Sequence, residues 1–458
     1  MRHHDRLPLS VTRPVLACIA MSRCRHRAST EPRHITAKAT IGGPRGARRS
    51  FTDRLANTAQ WHTGRTMPSH RISSVTTNLA WLPDHHLPVA ATLAHADDLI
   101  GQVGELLFAC QSESDGLFEL REESDGVVNR AVVASLTPIP RKLPMLVADA
   151  LVALRGALEH TLFAEIVHRD GVLGERVAKL VEMPARSTRA DFDEWKERRD
   201  RKGPPSLSAN GDLMCSIESL QPFQRVKSPA DHPLARLASY TNHAKHRTPA
   251  VAAVMLPVVY REDQLPKSFA DLPQRDERPL QIGEVVFESP VGDIVPLTLH
   301  PTVGLNRPGT DLWPVLMHEL RDIAEWVRMQ AVPRLITGGD PPTDALPASF
   351  DISVGHDDER RAIAEGSHTT GFDRQLTHLT AAKTARPGLI EIVGMTPGAP
   401  SLDLVRRWAN HLTDEQAVEK AERLEAFRNI TTAADQARAM GVVDGLLREA
   451  QEFVDEEA

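Results

Sequence analysis

Apolar residues recur at three- and four-residue steps in four stretches of the chain, and each stripe predicts an amphipathic helix. Over residues 88–109 the stripe is Leu93, Ala96, Ile100, Val103 and Leu107. Over 143–168 it is Val147, Leu151, Leu154, Leu158, Leu162 and Ile166. Leu234, Leu237 and Tyr240 mark a third helix at 233–245, and Leu312, Leu316, Leu320, Ile323, Trp326 and Val327 a fourth at 311–330. A short charged helix is read at 192–199, and 217–223 is an apolar island. Elsewhere the pattern turns strand-like. LFELREE and VVNRAVVASL flank Ser124-Asp125-Gly126, a good turn for a hairpin. The Val-rich run 248–260 reads as a strand, and 281–299 as two more joined through 290–293.

This order of elements predicts an α+β fold: a helical core with a small antiparallel β-sheet. The core region spans 85–335. Residues 336–403 are expected to be a linker and irregular region, opening on the Gly/Pro-rich 338–344 and containing one short strand candidate, LIEIVG. Residues 404–458 are expected to form a helical extension. It is acidic, with 12 Asp/Glu against 5 Lys/Arg from Asp414 onward, so it reads as a solvated or partner-facing element. No internal repeat is visible.

Charge changes the picture at the N-terminus. The whole chain of 458 residues carries a formal −7, yet residues 1–70 hold 13 Lys/Arg against 3 Asp/Glu, leaving −17 on the remainder. Residues 1–72 have no sustained apolar period and are expected to be a disordered basic tail. Two other readings stand beside that one. The tail is a basic arm touching phosphates, or it is translated upstream of a true start at Met67 or, with less support, Met21. The late start is favoured over the nucleic-acid arm.

Aromatic content is only 4%, which argues against base-stacking platforms. Cys18, Cys24, Cys110 and Cys215 form no CxxC pair, so neither a disulfide framework nor a Cys-rich zinc site is expected and a cytoplasmic location fits. No run approaches the roughly 20 apolar residues of a membrane span. Arg13 and Pro14 interrupt the only leader-like stretch, so no signal peptide is expected.

Three blocks of residues are distinctive in combination. ADALVALRGALEHTLF holds Leu154, Arg155, Ala157, Leu158 and His160; IESLQPFQR holds Leu220, Gln221, Pro222 and Phe223; HPLARLASYTNHAKHR holds Asn242, Lys245, His246 and Arg247. In this order they resemble a widespread family of bacterial proteins, common in actinobacteria, with the motifs LRxALxH, LQPx and NxxKHR. The departures are Glu159, where Asp is expected, and His243-Ala244 within the third block. The family carries no assigned activity.

Arg155-x4-His160 has, in addition, a weaker likeness to the motif of HEPN-type ribonucleases, which are helical, usually dimeric and metal-independent. That likeness implies RNA cleavage or RNA binding, with Arg155 and His160 as catalytic residues and a homodimer as the form. The chemistry is coherent. A neutral imidazole can take a proton from a ribose 2′-hydroxyl, and a guanidinium can hold a phosphorane. Asn242, Lys245, His246 and Arg247 would then be binding residues beside them. This reading predicts that all these side chains converge.

The alternative is a non-catalytic interaction or scaffold protein in which the same residues lock helices together. Arg155 then pairs with Glu159 one turn on. His160 bonds to the helix at 233–245, and Gly156 permits the close approach. The cations at 245–247 complement exposed carbonyls at a helix C-terminus. Geometry favours this alternative, because a five-residue step turns a helix by roughly 500° and so splays Arg155 and His160 by about 140°.

Other candidates are weaker. His85, His86 and His95 offer metal nitrogens, as do His243 and His246, but no carboxylate spacing accompanies them, so no metal and no cofactor is expected. His318-Glu319 lacks the second histidine of HExxH. Nucleotide-binding glycine motifs and GxSxG are absent from the sequence.

Overall fold

The two long helical stripes form the helices they predict. Helix α1 is Leu87–Ser112 and α2 is Lys142–Asp170, and they lie against each other with Leu93, Ile100, Val103, Leu151, Leu154, Leu158 and Ile166 all buried. Gly171 ends α2 at φ +79°, a conformation that only glycine adopts at little cost, with its N–H on the Val167 carbonyl. This computed structural model describes residues 22–25, 34–35, 77–112, 116–264, 275–293, 295–425 and 433–457. Apart from 22–25 and 34–35, the expected basic tail lies outside the described residues. The architecture is α+β as expected, and among the described residues no helix is long and apolar enough to cross a membrane.

Chain contacts divide the molecule into two units that meet in sequence at Gln375 and Leu376. In the first, α3 (Arg189–Lys202), α4 (Asp212–Ser219) and α5 (Pro233–His246) follow α2. Helix α6 (Leu316–Trp326) runs through a π-turn at Val327–Ala331 into α7 (Val332–Thr337). Pro333 has no N–H to donate, which explains the break in the regular ladder. Helix α6 starts five residues later than its apolar stripe implies. The approach segment is used differently: Leu305 donates to the Pro314 carbonyl, and Val315 bridges Gly304.

The strands form two antiparallel sheets. One has the order β2 (His34–Ile35), β3 (Phe118–Ser124), β4 (Val128–Leu136), β6 (Val285–Pro290); the other is β1 (Ser22–Arg25), β7 (Pro296–Leu305), β5 (Ala252–Arg261). The β3–β4 turn is the expected one. Gly126 sits at φ +88°, and the Asp125 carboxylate accepts from the Val127 and Val128 N–H groups. The two strands expected in 281–299 do form, but they join different sheets instead of pairing with each other. The β5–β7 register slips between Met255 and Val258, where Pro257 has no N–H to offer. Gly304 pairs with Ala253, two residues before that slip, and a Cβ there would stand 2.5 Å from the Met255 sulfur.

The stretch expected to be irregular is largely folded. Helix α8 is Glu359–Ala364 and α9 is Gly371–Met395, so LIEIVG is helical, not a strand. Its neighbours decide the matter. Ala385, Leu389 and Val393 recur every four residues and pack on Val405, Trp408 and Ala409 of α10 (Leu402–His411) and Leu446 and Ala450 of α12 (Ala433–Glu457). With α11 (Asp414–Glu425), these helices make the second unit. Residues 345–375 belong to the first. The Arg360 guanidinium donates to the carbonyls of Leu79 and Leu82, and the Asp97 carboxylate accepts from the Gly371 N–H at 2.8 Å.

Candidate functional site

Arg155 projects from the middle of α2 toward the segment that follows it. Its Nη2 pairs with Glu159 Oε1 at 2.6 Å and donates to the Met183 carbonyl, while its Nη1 is buried without a partner. The other Glu159 oxygen accepts from the Met183 N–H at 2.8 Å. The expected Arg155–Glu159 pair therefore exists, and together the two side chains close on one residue of the loop.

The second motif closes on the same loop. Gln221 is fully buried; its Oε1 accepts from the Arg186 N–H at 3.0 Å and its Nε2 donates to the carbonyls of Pro184 and Ile217. The Phe223 N–H reaches the Arg186 carbonyl. From the far side, Arg199 and Trp195 of α3 donate to Glu182. The segment 182–186 is thus fastened by α2, by α3 and by the LQPF turn.

His160 behaves differently. It is exposed, and its Nδ1 lies 3.5 Å from the Thr92 hydroxyl of α1. The expected bond from His160 to α5 is not made; its contact is with α1, because the five-residue step carries it off the Arg155 face. Asn242, Lys245, His246 and Arg247 are exposed at the C-terminal end of α5. Among the described residues no hydrogen bond or ion pair joins any of these four to Arg155 or His160. Lys245, His246 and Arg247 sit where cations complement helix-end carbonyls.

A second titratable cluster lies elsewhere. His85 and His86 occupy the one-turn 3-10 segment Asp84–His86 that leads into α1, and Glu165 faces them from the buried side of α2. His86 is fully enclosed and its Nε2 is 3.0 Å from Glu165 Oε2; His85 Nε2 is 3.7 Å from the same oxygen. Arg169 donates to Glu165 Oε1 from Nε at 2.7 Å, and His85 stacks on His168 with centroids 4.2 Å apart. Burial alone would raise the Glu165 carboxyl. Hydrogen bonds from His86 and Arg169, with the Arg169 charge, outweigh it and hold the group at about 2. Burial, then the neighbouring His86 and His168, push the His85 imidazole below its ordinary value. His95 is exposed on α1, away from this pair. Reading local spacing missed the carboxylate because it is 79 residues away. The available signal was an acidic residue beside Ile166 on an otherwise apolar helix face.

Two further buried charge networks are structural in form. Glu319 of α6 receives Arg236 and Arg307, with the Tyr240 hydroxyl 3.2 Å away. Burial and the Glu319 charge push the Tyr240 hydroxyl well above its ordinary value, so it stays protonated as a donor. Asp97 of α1 holds the start of α9 through Gly371 and Arg374. Burial raises its carboxyl, against the pull of those two partners. No family model, curated protein or solved structure matches this chain.

Proposed function

We propose that the chain is an interaction or scaffold protein, in which the Arg155 and Gln221 motifs fix helix packing and α2 supplies a contact surface. The observation that carries this reading is the double clamp on 182–186. Arg155, the residue a phosphorane would need, has its Nη2 occupied by Glu159 and the Met183 carbonyl and its Nη1 buried.

The contact surface follows from the outer face of the same helix. Met145, Val152 and Phe163 are 59%, 39% and 41% exposed and fall on one stripe, being 7 and 11 residues apart. Gly156 lies on that stripe with no atom closer than 3.9 Å to a would-be Cβ. The stripe is self-complementary. In an antiparallel pairing centred near residue 154, Met145 meets Phe163 of a second copy and Val152 meets its Gly156. Across a two-fold axis each such contact occurs twice, i on j and j on i. A helix pair alone buries less than the roughly 800 Å² per partner of a standard interface, so association will depend on concentration.

The solution mass over a concentration series tests this reading. A rise from monomer to dimer, abolished in Phe163→Glu with unchanged melting temperature, supports it. A wild-type monomer throughout removes the self-association. A second reading, RNA contact, is favoured by one observation: His160, Lys245, His246 and Arg247 are exposed cations or potential cations. Incubation with mixed cellular RNA, with and without EDTA and beside His160→Ala, tests it. Cleavage by wild type but not by the variant would restore the catalytic reading.

A further inference from the structure

The turn before α1 and the buried face of α2 bring two imidazoles and one carboxylate to a point. We propose that His85, His86 and Glu165 form a site for a divalent metal ion, with zinc the ion best suited. The inference is independent of the self-association reading.

Three observations carry it. First, the donor set is two nitrogens and one oxygen, which zinc takes while keeping a further position for water or another ligand. Second, the donors converge. The three candidate ligand atoms lie within 4.8 Å of one another. Both imidazoles approach the same oxygen, Glu165 Oε2, at 3.0 and 3.7 Å. Ligands about 2.0–2.1 Å from a tetrahedral zinc are separated by roughly 3.3 Å, so small side-chain shifts suffice. Third, His85 Nε2 is buried with no hydrogen-bond partner, and its 3.7 Å approach to the carboxylate is too long to be one. A buried nitrogen left so incurs a penalty that ligation would remove.

The surroundings suit a ligand cluster. Arg169 engages Glu165 Oε1 and leaves Oε2 facing the imidazoles, so the carboxylate is oriented as metal-bound carboxylates are. His85 is the partly exposed member, with 28% of its side chain accessible, and gives the path by which an ion enters. His86 and Glu165 are buried and fix the position. A bound ion would add to the His86–Glu165 hydrogen bond and the His85–His168 stacking that tie the 3-10 turn to α2.

The whole protein, stripped with EDTA and dialysed, is titrated with Co2+ by visible absorption and with Zn2+ by calorimetry. One equivalent bound, with zinc displacing cobalt and raising the melting temperature, is the expected result. His85→Ala should weaken binding at least tenfold, and so should Glu165→Gln. His85→Ala is the decisive variant, because its side chain is at the rim and the fold, read by circular dichroism, is expected to survive. The chain has 20 histidines, so binding by itself is not enough. Uptake equal in wild type and His85→Ala, or no uptake, overturns the proposal and leaves the cluster as a hydrogen-bonded brace.

Discussion

His232 stands at the start of α5, where its Nδ1 accepts from the Leu234 N–H at 3.1 Å and its ring meets Trp326 edge-on. Burial, reinforced by Arg225 and Arg236, lowers its imidazole from 6.5 to about 4. The folded protein therefore binds fewer protons than the unfolded chain between those values. Stability falls as pH drops through that window. His232→Asn keeps an N-cap and removes the titration. Denaturant midpoints measured from pH 6.5 to 4 should fall less steeply in the variant; equal slopes would refute the assignment. Glu319 is a buried carboxylate shared by two arginines. Glu319→Gln leaves both cations undercompensated and should lower stability by about 3–5 kcal/mol. A loss under 1 kcal/mol in chemical denaturation would contradict the described network. The Glu319 network was not legible from local sequence, since Arg236 and Arg307 reach it from 83 and 12 residues away.

At the scale of elements, periodic stripes were the readable part. Helices α1, α2 and α5 begin and end within a few residues of where their apolar positions place them, because each buries one continuous face. The β3–β4 hairpin was readable from Asp125-Gly126. What failed was any feature set by a distant partner. LIEIVG is a short apolar run that fits either period, and contacts with Trp408 and Leu446 settle it as helix. The later start of α6 reflects bonds to β7. Gly304 belongs here too. Gly304→Ala must displace the Met255 side chain, so it should destabilise the β5–β7 pair by about 1–3 kcal/mol, detectable as a lower melting temperature. No change would mean that Met255 moves freely.

Over the whole molecule, charge bears on function. The chain outside its first 70 residues carries −17, so any RNA contact works against an acidic surface and must rest on a local patch such as the end of α5. Wild-type protein is expected to leave mixed RNA intact at physiological salt, with or without EDTA. Degradation lost in His160→Ala would contradict this expectation. The candidate site was only half legible. The sequence named Arg155 and Gln221 but not the loop they share, and it named His85 and His86 but not Glu165, whose approach depends on how α2 packs.

Arg155 is committed to architecture in this reading. Thermal and denaturant unfolding of Arg155→Met, measured beside His160→Ala, tests this most directly. Arg155→Met strands Glu159 and frees the Met183 carbonyl, and is expected to lose about 2–3 kcal/mol, whereas exposed His160→Ala stays within about 0.5 kcal/mol of wild type. Wild-type stability in Arg155→Met would contradict the account.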